Sequence, residues 1–210
     1  MSRLLYIKAS PRGDRSHSVA AANAFVEAYR AENPDDDIVE IDLFEADLPS
    51  FDGEAMNAKY AILNGRNHTE AERDAWSRIE RTIGIFTSAD KYVFAVPMWN
   101  FGIPYRLKHY IDVIVQPGYT FSFSPEEGYK GLVTGKPGFI AYARGGEYAP
   151  GTDAEAVDFQ TRYLEHELGF IGFSDIRKVV IEPTLAGGPD VASQKREEAI
   201  QAARQAAKGF

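Results

Sequence analysis

Three short segments carry groups that suit a bound anion and a flat aromatic ligand. The first, Ser10-Pro11-Arg12-Gly13-Asp14-Arg15-Ser16-His17-Ser18, runs from an apolar stretch straight into a helical pattern. Free backbone N–H groups and the dipole at a helix start both favour negative charge. The hydroxyls of Ser10, Ser16 and Ser18 can donate to phosphate oxygens, while Arg12 and Arg15 add positive charge. The dipole contributes only about 0.3–1 kcal/mol when exposed, so the number of donors matters more. The plainer alternative is that Ser16 or Ser18 merely caps the helix. The second segment, Pro97-Met98-Trp99-Asn100-Phe101-Gly102-Ile103-Pro104, puts aromatic residues where a loop is usually polar. Such a loop suits a flat ring, and Asn100 offers that ring's polar edge both a donor and an acceptor; alternatively it folds back over the core. The third, Ala143-Arg144-Gly145-Gly146-Glu147-Tyr148, has paired glycines that permit either a close ligand approach or a tight turn.

Other chemistries lack their residues. The chain has no cysteine, which rules out disulfides, thiolate metal sites and thiol catalysis. Its four histidines, His17, His68, His109 and His166, show no H-E-x-x-H or other metal-ligand spacing, so no metal is expected. There is no G-x-x-x-x-G-K-[ST], no G-x-G-x-x-G and no G-x-S-x-G elbow, which argues against a nucleoside triphosphatase, a dinucleotide fingerprint and a serine hydrolase. The formal charge of −8, from 31 acidic and 23 basic residues, opposes a nucleic-acid partner, and no basic stripe offsets it. No apolar run approaches the roughly 18 residues that span a bilayer. The expected location is the cytoplasm.

The elements that must position these loops follow from hydrophobic periodicity. With 44% hydrophobic and 26% charged residues, 210 residues suit a single globular domain over the whole chain. Apolar runs at 4–9, 38–43, 91–96, 138–143 and 176–181 read as five strands, the second nearer an edge. Helical patterns occupy 18–33, 54–63, a stretch opened by the capping pattern Thr69-Glu70-Ala71-Glu72, one from Pro104, 154–168 with Gly169 at its end, and 193–208. Residues 118–135, rich in glycine and aromatics, read as an excursion. There, Tyr119, Phe121 and Phe123 alternate as in a short strand, forming either a wall over a ligand or plain core. Strands alternating with helices predict an α/β three-layer sandwich around a five-stranded parallel sheet of order 2-1-3-4-5. Ligands of such sheets bind beyond the carboxyl ends of the strands, where all three loops emerge.

Taken together, SPRGDRSHS at 10–18, PMWNFGIP at 97–104, TFSF with KGLVTGK, ARGG at 143–146 and LGFIGF at 168–173 resemble the FMN-dependent NADH:quinone oxidoreductase/azoreductase family, a branch of the flavodoxin-like quinone reductases. The resemblance covers most of the chain. It implies a noncovalent FMN, NADH or NADPH as electron donor, and quinones or azo compounds as acceptors. It also implies a homodimer with both sites at the interface. The phosphate would be held by Ser10 and by Ser16-His17-Ser18. The ring would lie against Met98-Trp99-Asn100-Phe101 and Ala143-Arg144-Gly145-Gly146, with Tyr119 and Phe123 candidates for the substrate pocket. The flavin would carry the chemistry in a two-step, ping-pong cycle, with no protein side chain as catalyst. His17 stands where the family often has an amide, Trp99 and Phe123 where tyrosine is frequent, and Ala143 where serine is common. Such departures bear on substrate range more than on FMN binding. The competing readings are a flavodoxin-like one-electron carrier and a carrier-protein phosphodiesterase, for which no metal site or catalytic dyad is identifiable.

Overall fold

The computed structural model describes residues 1–210. In chain order its elements are β1 (Arg3–Lys8), α1 (His17–Glu32), β2 (Asp37–Asp42), α2 (Gly53–Leu63), α3 (Glu70–Thr87), β3 (Lys91–Pro97), α4 (Tyr105–Ile114), β4 (Phe121–Ser124), β5 (Gly128–Gly131), β6 (Gly138–Ala143), α5 (Phe159–Ile171), β7 (Ile176–Ile181) and α6 (Gly188–Ala206). Five strands form one parallel sheet in the order β2-β1-β3-β6-β7, the topology expected, with β2 at an edge. The register is continuous across its centre, with Leu5 beside Tyr92 and Phe94 beside Ile140.

Because side chains alternate along a strand, a sheet covered on both faces needs two cores. Leu5, Ile7, Tyr92, Phe94, Ile140 and Tyr142 point to one face, where Trp76, Ile79, Ile83 and Phe86 of α3 cover them together with α4 and α5. Leu4, Tyr6, Val93, Phe139 and Ala141 point to the other, under α1 and α6. Phe25 of α1 stacks on Phe139 with ring centroids 4.1 Å apart. Fully burying one such side chain contributes roughly 1.5–3 kcal/mol. These two cores fix the strand ends from which the loops leave.

Three boundaries differ from the sequence expectation. Helix α5 begins at Phe159, after a short 3-10 turn, because the Asp158 carboxylate caps it by accepting from the amides of Gln160 and Thr161. Gly169 lies inside that helix, and Gly172, at φ 119°, ends it. Helix α6 starts at Gly188 with Pro189 in its first turn, five residues before the hydrophobic pattern becomes visible. The excursion is an antiparallel hairpin of β4 and β5 with Phe123 opposite Tyr129. It seats against the end of α5 so closely that a Cβ on Gly131 would lie 2.4 Å from the Gly172 amide nitrogen. No helix is long and apolar enough to cross a membrane.

Candidate active site at the carboxyl edge of the sheet

The loops that follow β1, β3, β6 and β7 meet around a cleft of about 210 Å³. Ser10, Arg12, Ser16 and His17 line one end, and Pro97, Met98, Trp99, Ala143 and Gly145 the other, with Thr184 and Leu185 at the side. At the polar end, Ser16 caps α1, its Oγ accepting from the Val19 amide at 3.4 Å, and lies 3.1 Å from the Ser18 Oγ. Ser18 is fully buried behind Ser16 and supports it instead of lining the cleft. His17, the first residue of α1, contributes a buried ring nitrogen, Nδ1, that has no hydrogen-bond partner. Burial, and then the positive charges of Arg196 and Arg12, hold its pKa below the ordinary value of 6.5. A neutral imidazole among guanidinium groups leaves this end short of negative charge.

The aromatic end is built on a tight reverse turn. The Trp99 amide donates to the Gly102 carbonyl at 2.9 Å, and the Gly102 amide to the Trp99 carbonyl at 2.9 Å. Between them, Asn100 and Phe101 take φ of 48° and 68°, left-handed values that cost a non-glycine residue about 1–2 kcal/mol each. The turn holds that conformation because the Phe159 amide donates to the Phe101 carbonyl at 3.0 Å and because Trp99 packs beside Phe44 and Tyr105. The amides of Asn100, Phe101, Gly145 and Gly146 donate to nothing within the chain.

The loop after β6 differs in one respect from the sequence reading. Arg144 does not present its side chain to the cleft. The guanidinium is buried and paired with Asp158 at 2.9 Å and Glu182 at 3.4 Å, and only the backbone of this residue belongs to the loop. Gly145 approaches Leu185 so closely that a Cβ would sit 2.9 Å from the Leu185 Cδ1. Thr184 and Leu185, from the loop after β7, escaped the sequence analysis because Glu182-Pro183-Thr184-Leu185 matches no ligand motif. Their only signal was position, one strand beyond the third loop, where Thr184 and Leu185 donate to the carbonyls of Arg144 and Gly145.

A family model described as the flavodoxin-like fold matches residues 2–207. The FMN-dependent NADH:quinone oxidoreductase of Nitratidesulfovibrio vulgaris is 58% identical over the full length of both chains. That of Desulfotalea psychrophila is 49% identical over 93% of this chain and 91% of its own. This chain belongs to the FMN-dependent NADH:quinone oxidoreductase family. Among solved structures, an azoreductase from Bacillus anthracis superposes with a TM-score of 0.91 at 33% identity over both full chains. An FMN-dependent NADH-azoreductase of that organism, solved in complex with FMN, gives 0.87 at 29% identity, covering 99% of this chain and all of its own.

Within the FMN-dependent NADH:quinone oxidoreductase family, this chain's cleft can be tested against its cofactor. The donor set fits FMN. Hydroxyls, Arg12, an orphaned imidazole nitrogen and helix-start amides suit a dianionic phosphate at one end. Met98, Trp99, Ala143 and Gly145 offer a flat apolar lining at the other. Of the expected residues, Ser10, Ser16, His17, Met98, Trp99, Ala143 and Gly145 come together in the cleft. Asn100 and Phe101 form its turn, while Gly146 lies beside the Tyr148 ring. Tyr119 and Phe123 are not brought to it. The Tyr119 hydroxyl donates to Glu80 at 2.5 Å beside Trp76, and Phe123 is exposed on the hairpin at the far end of α5.

Proposed function

We propose that this chain is an FMN-dependent oxidoreductase that passes two electrons from NADH or NADPH to quinones and to azo compounds. One observation carries the reading. Serine hydroxyls at a helix start and a rigid aromatic turn, delivered by loops from adjacent strands, face one cleft. The relatives' names and the FMN complex of an NADH-azoreductase support the same cofactor and donor. When bound, FMN supplies the two-electron relay between nicotinamide and acceptor. The chain supplies grip and electrostatics. Ser10, Ser16 and the first amides of α1 hold the phosphate. The free amides of Asn100, Phe101, Gly145 and Gly146 donate toward negative charge at the ring end. Met98 and Trp99 keep water from the ring.

Donor and acceptor would use that end in turn, as a ping-pong cycle requires. A second copy of the chain completes the picture. A depression of about 880 Å³ beside the cleft, where Phe51, Trp99, Ile103 and Tyr105 lie among polar residues that include Lys108, His109 and Asp112, offers a surface that a homodimer would cover. Phe123 could reach a substrate only across such an interface. The need for a reduced nicotinamide supports a cytoplasmic location. The test is spectroscopic. The purified protein should be yellow, release FMN, bleach on anaerobic mixing with NADH and regain colour with benzoquinone. A colourless protein that takes up no FMN overturns the proposal. Reoxidation by one-electron acceptors alone would mark a carrier instead.

A further inference from the structure

We propose that Arg144 is a positioning residue for the cofactor, acting from behind the cleft to hold three of its loops in binding geometry. The inference rests on reading the cleft as an FMN site. The side chain is 4% exposed and meets four partners from two segments, the start of α5 and the residue after β7. Its Nε donates to Gln160 Oε1 at 3.1 Å, Nη2 to Asp158 and Thr161, and Nη1 to Glu182 at 3.4 Å. Three of these partners tie down a cofactor loop. Gln160 Nε2 donates to the Val96 carbonyl at 2.9 Å, at the end of β3. Asp158 caps the helix whose first amide, that of Phe159, holds the Phe101 carbonyl and so the strained turn. Glu182 accepts from the Tyr148 amide at 2.9 Å, closing the glycine loop. The Arg144 carbonyl accepts from both the amide and the hydroxyl of Thr184, at 2.9 and 2.8 Å, which fixes the loop after β7.

One planar fork therefore links the loops that follow β3, β6 and β7. A lysine could not replace it, because a point charge on a flexible stem cannot face four acceptors held in fixed directions. Nor is stability the natural explanation. Desolvating one guanidinium and two carboxylates costs about as much as their pairing returns, and apolar substitutes often serve as well. What the cluster adds is direction. The tyrosine rings of residues 142 and 148, centred 5.9 and 5.7 Å from the guanidinium carbon, flank it and favour that orientation.

Two variants test this. Arg144→Lys keeps the charge but not the fork. The combined variant Arg144→Met, Asp158→Asn, Glu182→Gln removes every charge of the cluster while preserving volume and the helix cap, so that no buried ion is stranded. Phe86→Leu, in the core beneath the opposite edge of the sheet, serves as a control for lost stability. The dissociation constant for FMN is measured by flavin fluorescence. The visible spectrum and midpoint potential of the bound flavin are then recorded at saturation. Both cluster variants should bind FMN roughly 10- to 100-fold more weakly, the range that follows when outer supports of a binding site are removed. Their spectrum and potential should move toward those of free FMN, while Phe86→Leu moves neither. Wild-type affinity and spectrum in the combined variant, or an equal change in Phe86→Leu, would overturn the role. A wild-type protein that takes up no FMN would sink the cofactor reading itself, and this role with it.

Discussion

The two ends of the cleft are built on opposite plans. At the phosphate end the serines are buried, Ser10 at 2% and Ser16 at 3% exposure, and Ser16 is bonded both to Ser18 and to the helix it caps. At the ring end Trp99 is 36% and Phe101 49% exposed, on a turn whose backbone is strained. The first end is finished by local chain geometry, since a helix start always leaves free amides. The second is finished only by long-range contacts to α5 and by whatever covers the aromatic rim. A ligand that must be held firmly at one end and exchanged with reactants at the other suits this contrast.

The sharpest way to break the contrast is to fill the ring end without unfolding the loop. Gly145→Val places methyl groups where the cleft floor now lies, and the clash is with Leu185, which is 77% exposed and can swing aside. FMN affinity should fall about 100-fold or more, a loss of about 2.7 kcal/mol in binding, while the melting temperature of the apoprotein changes little. Fluorescence titration and calorimetry on the same sample check both halves. Ser16→Ala does the reverse, striking fold and ligand together. It removes the N-cap, which costs about 1 kcal/mol of stability, and a phosphate donor, so affinity should drop about tenfold. Unchanged binding in this variant would show that the helix amides alone hold the phosphate. Phe101→Gly is smaller and opposite in sign. Relief of the left-handed conformation should stabilise the apoprotein by up to about 1 kcal/mol, while a looser turn weakens FMN binding slightly. A destabilised apoprotein would mean that Phe101 contributes more by packing against Tyr148 than its backbone costs.

How much of this could be read from the chain differs between the two ends for the same reason. Ser10 and Ser16 were legible because a loop running into a helix start is a local pattern, and the strand before it was a nearly continuous apolar run; His17 came only with the family resemblance. The sheet order followed from counting such runs. By contrast, the destination of the Arg144 side chain depends on Asp158 and Glu182, 14 and 38 residues away in sequence, and no local pattern announces a buried ion cluster. Thr184 and Leu185 enter the cleft through backbone hydrogen bonds, which side-chain identity does not encode. Tyr119 and Phe123 could be read as a wall or as core because aromatic alternation fits an exposed hairpin equally well, and long-range contacts to the end of α5, Phe121 and Tyr129 on Phe170 and Gly131 against Gly172, decide which way that hairpin leans.

The smallest effect concerns the one side chain at the phosphate end whose charge can change near neutral pH. His17 is held below its ordinary 6.5 by burial, by Arg196 and by Arg12. Asp14 and Arg15 are the other charges of that loop, and Arg196 reaches it from α6 by donating to the Asp14 carbonyl at 3.0 Å. For a group whose folded pKa is depressed, the unfolded chain binds the proton first. The contribution of neutral His17 to stability is therefore complete above about pH 6.5 and is lost as pH falls toward its folded value. Between pH 7.5 and 5.5 the wild-type apoprotein should lose slightly more melting temperature than His17→Gln, by about a degree or two. FMN should shrink or reverse that difference, because a phosphate dianion beside the ring favours the protonated form and offsets both guanidinium groups. Parallel pH profiles for the two proteins, with and without FMN, would mean that the imidazole faces away from the phosphate and that serines and amides do the holding alone.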